Sequence, residues 1–212
     1  MTNLQIIEKL QSKFGEFYYE FNFKDNEVTH LNLYNKGVET KDLELIGELT
    51  SLKHLHLRNN QITTIQGLDQ LTKLERLHLI YNKITKIEGL DNLKSLEKLS
   101  LAFNKITTIQ GLDKLTNLEW LDLMSNQITT IQGLDELTKL QRLPLTYNQI
   151  TTIQGLDKLT SLEMLWLDNN QITEIQGLDG LTNLEYLELS FNNIPEEKIK
   201  EFRDKHPKIK VL

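Results

Sequence analysis

Leu74-Glu-Arg-Leu77-His-Leu79-Ile-Tyr-Asn82-Lys-Ile84-Thr-Lys-Ile87-Glu-Gly89-Leu90-Asp-Asn-Leu93 is one copy of a phrase that recurs along most of this 212-residue chain. Aligned on Leu52, Leu74, Leu96, Leu118, Leu140, Leu162 and Leu184, the unit reads L-x-x-L-x-L-x-x-N-x-I-T-x-I-x-G-L-D-x-L-T-x and returns every 22 residues. A fixed period of this length means one supersecondary unit stacked on itself, because a single copy cannot bury its own apolar face. The Leu-x-Leu pair alternates with variable residues, which predicts a half-buried strand. Strands of successive copies then lie side by side and parallel, ~4.8 Å apart. The second half of the unit is too short for a full α-helix. Its glycines (Gly67, Gly89, Gly111, Gly133, Gly155 and Gly177) suit a turn of unusual φ, followed by a short 3₁₀ or irregular segment. A narrow strand side and a bulkier outer side predict a curved α/β solenoid with a parallel sheet on its concave face.

Asn60, Asn82, Asn104, Asn126, Asn148, Asn170 and Asn192 fall where each copy leaves its strand. An amide there can bond backbone groups that the turn leaves unpaired, so the expectation is a stacked structural ladder. Seven equivalent copies also make poor catalytic residues.

The remaining totals narrow the function classes. Net charge is −6, which argues against a general nucleic-acid binder. No apolar run approaches a membrane span, and the first 30 residues lack the apolar core of a signal peptide. Cys is absent, which favours a reducing compartment, so a cytoplasmic protein is expected. No Ser/His/Asp spacing, phosphate-binding glycine loop or zinc motif is present, so no enzyme activity and no cofactor are expected.

A solenoid needs capped ends. Leu4, Ile7, Leu10 and Phe14 predict a helix over 3–14, Phe17 to Phe23 a strand, Lys24 to Glu27 a turn, and Val28 to Leu33 a further strand. The first repeat is irregular: Leu33 precedes Leu57 by 24 residues, and Lys36 stands where the ladder asparagine belongs. Pro195 introduces a helix over 195–205, and Ile209 and Val211 keep register 22 residues after Leu187 and Leu189. The expected organisation is an N-terminal cap over 1–27, repeats over 28–194 and a C-terminal cap over 195–212, with both ends complete.

The phrase Ile87-Glu-Gly-Leu-Asp-Asn-Leu-Lys-Ser-Leu-Glu-Lys-Leu99, leading to Asn104-Lys-Ile, resembles the 22-residue subclass of leucine-rich repeats. That subclass includes the leucine-rich regulatory subunit of protein phosphatase 1, the leucine-rich light chain of axonemal dynein, the spliceosomal A-prime protein and the bacterial internalins. The resemblance covers 28–194, and Phe202-Arg203, Pro207 and Ile209 are similar to the C-terminal cap of the intracellular members. It implies a right-handed solenoid that acts as a protein-binding scaffold through its concave face. The relatives bind unrelated partners, so it does not imply which protein is bound.

Ile-Thr-Thr-Ile-Gln-Gly-Leu-Asp recurs unchanged at 62–69, 106–113, 128–135 and 150–157, whereas strand positions pointing away from the core do not repeat. One outward column runs His54, Arg76, Lys98, Trp120, Arg142, Met164, Tyr186; the next runs His56, His78, Ser100, Asp122, Pro144, Trp166, Glu188. Drift on a solvated face would give small polar and charged residues; instead both tryptophans fall there. Trp120, Met124, Tyr147, Met164, Trp166 and Tyr186 have the composition of a binding hot spot. Arg142 can pair with an acid or stack on a ring, and Asp122, Asp168 and Glu188 form an acidic border. A partner protein is expected there, bound to a monomer.

Four of the five histidines (His30, His54, His56 and His78) gather at the other end of the face. His54, His56 and His78 have a spacing that would suit a divalent ion, but Arg58, Arg76 and Lys98 surround them and no carboxylate or Cys stands in those columns. The alternative reading is a basic patch for phosphate or an acidic ligand, sensitive to pH near the ordinary histidine pKa. A third alternative, suggested by the identical outer segments, is a designed or recently amplified array with no specific partner. Pro144 is an oddity: it stands in a central strand, where it has no N–H to donate, and reads either as a tolerated defect or as a local bulge that re-aims Arg142 and Tyr147.

Overall fold

The computed structural model describes residues 1–22 and 25–212. Phe23 and Lys24, part of the expected strand and turn, lie outside the described residues. The chain runs α1 (Asn3–Phe14), β1 (Tyr18–Asn22), β2 (Glu27–Asn32), a 3₁₀ turn (Thr40–Asp42), α2 (Leu43–Gly47), β3 (His54–His56), β4 (Arg76–His78) and β5 (Lys98–Ser100). It continues through β6 (Trp120–Asp122), β7 (Arg142–Pro144), β8 (Met164–Trp166), β9 (Tyr186–Glu188), α3 (Glu196–Lys205) and β10 (Lys210–Val211). All ten strands form one sheet in chain order. β1 and β2 are antiparallel, and every later pair is parallel in 22-residue register except β2 with β3 and β9 with β10, where the shift is 24. Val211 therefore pairs with Leu187 and not, as the repeat spacing predicted, with Leu189, because the cap helix adds two residues to the last connection.

The repeats between Leu52 and Leu159 bury the same set of side chains: in the fourth strand's repeat, Leu74, Leu77, Leu79, Ile84, Ile87, Leu90 and Leu93 are almost wholly enclosed, whereas toward the C-terminal end Ile175 and Ile194 are only partly buried. Truncating any one of them to Ala costs about 2–5 kcal/mol in a core of this kind. After each glycine the outer segment is short and irregular, as expected, and closes through two i→i+3 turns, Leu71 N–H to Leu68 O and Leu74 N–H to Leu71 O, each 2.9 Å. These present Leu68, Leu71 and Leu74 inward at successive corners. Among the described residues, an outer segment is helical only in the longer first repeat, where Leu43, Ile46 and Leu49 bury a helical face in the two extra residues' worth of chain.

The asparagine ladder is uniform. Asn82 Nδ2 donates to Leu57 O (2.9 Å) in the preceding repeat and to Leu79 O (3.0 Å) in its own, and its Oδ1 accepts from Ile62 N–H (3.0 Å). Lys36 lacks such an amide but is served by the next copy, since its N–H and that of Val38 both donate to Asn60 Oδ1. The residue just before each asparagine adopts a left-handed backbone, with φ between 52° and 58° at Asn59, Tyr81, Phe103, Ser125, Tyr147, Asn169 and Phe191.

At the front, α1 is held by a Thr2–Gln5 capping box and lays Ile6, Ile7 and Leu10 over the first repeat. Lys13 pairs with Asp42 beneath it. At the back, α3 follows Pro195 and closes the stack with Phe202, while Arg203 donates to Val211 O at 3.2 Å. Pro144 makes no bulge. Its carbonyl still accepts from Leu123 N–H (3.0 Å), and the loss is confined to pairing, which falls to Trp120 with Arg142 alone between β6 and β7. No helix among the described residues is long and apolar enough to cross a membrane.

Candidate functional site

The first outward column is in register from strand to strand, so His54, Arg76, Lys98, Trp120, Arg142, Met164 and Tyr186 form one continuous row across the face. Toward the C-terminal end the Arg142 guanidinium lies 5.5 Å from the Trp120 ring centre, within cation–π range. Trp166 and Tyr186 meet at 5.6 Å with rings tilted by 46°. Met164 stands between Arg142 and Tyr186 in the row. Nε1 of Trp120 and Nε of Arg142 are buried without a hydrogen-bond partner.

The acids of this half are already engaged by their own chain. Asp168 accepts from the Thr146 hydroxyl (2.7 Å) and Asn169 Nδ2 (2.8 Å). Glu188 accepts from the Tyr186 hydroxyl (2.9 Å) and Ser190 N–H (3.2 Å). Burial alone would raise the Glu188 carboxyl, but the bonds from Ser190 and Tyr186 outweigh it and hold the pKa below the ordinary value. Burial pushes the Asp122 carboxyl up, partly offset by the Met124 N–H at 3.1 Å. Burial and the bond to Glu188 raise the Tyr186 hydroxyl.

The hot-spot residues do not stand free as their composition suggests. Trp120, Met124, Met164, Trp166 and Tyr186 are half-buried, whereas Tyr81, Phe103, Tyr147 and Phe191 are exposed. These exposed rings occupy the left-handed column beyond the strand ends, so Tyr147 belongs to the rim of the face and not to its floor. Tyr81 and Phe103 stack there at 4.2 Å with Arg58 5.4 Å from the Tyr81 ring, a feature the sequence reading did not single out. Asn35, Asn59 and Asn169 in the same column were the available signal, since asparagine tolerates positive φ.

At the N-terminal end the histidines form two ring pairs. His30 and His54 meet edge to face at 4.1 Å, and His56 and His78 stack at 4.4 Å. Carboxylates do reach this cluster, from positions outside the columns: Glu20 lies 2.7 Å from His30 Nδ1, and Glu75 3.7 Å from His54 Nε2. Among the described residues no group of three or more His, Cys, Asp or Glu side chains stands as a metal-ligand set. Burial first, then the positive neighbours, lowers the pKa of His54 and His56, and lowers that of His78 to about 4. The basic character of this end therefore comes from Arg58, Arg76 and Lys98. The expected titration near the ordinary histidine pKa moves to lower pH at His78.

This has a measurable consequence for stability. The folded pKa of His78 lies below the ordinary 6.5, so folding favours its neutral ring. That contribution is fully present above pH 6.5 and is lost as pH falls toward 4. With partial solvent access it amounts to about 1–2 kcal/mol. His78→Gln is expected to flatten the fall in urea midpoint between these two pH values. An unchanged slope would show that His78 is not the group responsible.

The repeats and their geometry agree with the comparisons. A family model for leucine-rich repeats, two copies per match, fits residues 50–92, 72–114, 116–158 and 160–203. No curated protein sequence matches the chain. Among solved structures, an internalin (InlF) of Listeria monocytogenes superposes with a TM-score of 0.75 at 35% identity, over 86% of this chain and 52% of its own. Internalin C2 of the same organism gives 0.72 at 35% identity, over 79% of this chain and 73% of its own. A leucine-rich-repeat protein of Leptospira interrogans gives 0.56 at 26% identity, over 87% and 59%. This chain thus spans about half the length of the first of these structures. With seven ladder asparagines, a ten-stranded sheet and a family model matched over most of its length, the chain belongs to the leucine-rich repeat family.

Proposed function

We propose that the protein is a non-enzymatic scaffold that binds another protein across the concave sheet, with Trp120, Arg142, Met164, Trp166 and Tyr186 as its anchors. The observation that carries this reading is the contrast between copied and diversified positions. Outer segments are identical in four repeats, while no two repeats carry the same pair of residues in the two outward columns. Large, partly rigid rings on a regular backbone give contact area at low entropic cost.

The test is a quantitative pulldown comparing wild type with Trp120→Ala/Trp166→Ala, after circular dichroism and urea melts show both folded. Loss of two hot-spot rings is expected to weaken binding by about 2 kcal/mol or more, roughly thirtyfold. A partner retained equally by both proteins would remove these residues from the site.

A further inference from the structure

Arg58, Arg76 and Lys98 stand together at the N-terminal end of the concave face, and among the described residues no carboxylate lies within ion-pair distance of any of them. The acids nearest them have other partners. Glu75 bonds Lys53 at 3.0 Å and approaches His54, while Glu20 lies against His30. At the far end the relation is reversed, because Asp168 and Glu188 already accept hydrogen bonds from their own chain. Among the described residues Arg142 is likewise outside every ion pair, but it stands singly against the Trp120 ring, so unmatched positive charge is concentrated at the N-terminal end.

We propose that this end docks an acidic segment of the partner protein, laid along the solenoid axis with its carboxylates over Arg58, Arg76 and Lys98 and an apolar side chain following at Trp120. The inference rests on the reading that the concave face binds protein, and it specifies the chemistry and direction of what is bound. Arg76, Lys98 and Trp120 are paired in register on β4, β5 and β6. Adjacent strands are ~4.8 Å apart and an extended segment advances ~3.3 Å per residue, so acids one to three residues from an apolar side chain match the spans from Trp120 to Lys98 and Arg76. Arg58 lies four residues beyond His54, roughly 13 Å along the strand direction from the row of Arg76. Cations spread in this way fit several carboxylates better than one small anion. A nucleic acid would meet a chain of net charge −6. The bound acids at Asp168 and Glu188 repel the acidic end of a segment lying the other way, which fixes its polarity.

The probe is a dye-labelled peptide repeating Glu-Glu-Phe, followed by fluorescence anisotropy at low and moderate salt. Its Gln-Gln-Phe counterpart, inorganic phosphate and a single-stranded oligonucleotide serve as competitors. The acidic peptide is expected to bind the full chain about tenfold more tightly than its Gln form, and Arg76→Glu/Lys98→Glu to abolish that preference. A Lys-Lys-Phe peptide should bind the charge-reversed protein better than wild type, with circular dichroism and urea melts showing both proteins folded. Equal binding of the Glu and Gln peptides, or indifference to charge reversal, overturns the proposal. Effective competition by phosphate or oligonucleotide also overturns it, in favour of a small anion or nucleic acid. The same variants in the pulldown separate the two readings. Capture lost with Trp120→Ala/Trp166→Ala but unaffected by charge reversal refutes the acidic segment alone, whereas capture indifferent to both refutes the concave face itself.

Discussion

Asn104→Ala is expected to destabilise the protein by about 3–5 kcal/mol, a large share of the roughly 5–15 kcal/mol that holds an ordinary domain folded. The amide donates to Leu79 O (3.0 Å), Leu101 O (2.9 Å) and Ala102 O (3.2 Å) and accepts from Ile84 N–H (3.0 Å), all in buried surroundings. Alanine leaves these groups without partners and out of reach of bulk water, and each such orphan costs about 1–3 kcal/mol before relaxation. Two repeats lose their connection at once, because the bonds reach both Leu79 and Leu101. Asn192→Ala is the internal control. Its geometry is the same, with Leu167 O at 2.8 Å and Ile172 N–H at 2.9 Å, but the site is only partly buried, so water can replace the amide. Urea denaturation should show a loss at Asn192 of about 1–2 kcal/mol, well below that at Asn104. Equal losses at both positions would mean that the ladder acts through something other than satisfying buried backbone groups.

Gly89→Ala is expected to cost about 3–4 kcal/mol, from two separable causes. The first is conformational: φ is +75°, a region that disfavours a Cβ. The second is steric, since a Cβ at Gly89 would fall 2.0 Å from the carbonyl oxygen of Ile65 in the preceding repeat. Gly37 has nearly the same φ of +72° with nothing within 4 Å of the added carbon, so Gly37→Ala should lose only about 1 kcal/mol. Between them the series is graded, because the approach relaxes to 2.5 Å at Gly111 and 2.9 Å at Gly177. Melting temperatures should therefore rank Gly89→Ala lowest, then Gly111→Ala, then Gly177→Ala, with Gly37→Ala nearest wild type. A flat series would leave backbone conformation as the whole explanation and remove close stacking from it.

Both of these sites were legible in the sequence, and for the same reason. An asparagine or a glycine that returns at every copy answers a backbone demand that returns at every copy, and the demand can be inferred from the residue's chemistry. The Leu77–Leu79 alternation gave strand and core together, and the helices at Asn3–Phe14 and Glu196–Lys205 followed from apolar spacing and Pro195. The left-handed column was hidden because Tyr81, Phe103 and Phe191 are poor indicators of positive φ; the stack imposes the conformation on whatever residue stands there. The helix at Leu43–Gly47 was hidden by its brevity. At the candidate site, sequence supplied the membership of the outward columns but not their contacts. Periodicity states which way a side chain leaves the strand. It is silent on whether Trp120 lies against Arg142 or stands clear of it, and on how far neighbouring imidazoles desolvate His78.

The ladder uses only atoms that every interior repeat possesses: an asparagine amide, two leucine carbonyls and an isoleucine N–H. Removing any one interior unit of 22 residues therefore brings together two surfaces that already fit. Unequal recombination between the identical blocks at 106–113 and 128–135 would lengthen or shorten the array without breaking a backbone bond pattern. What such an event alters is the order of side chains along the outward columns. In this architecture the gene can rewrite what the protein recognises by cutting and pasting whole repeats, while the fold stays indifferent to the edit.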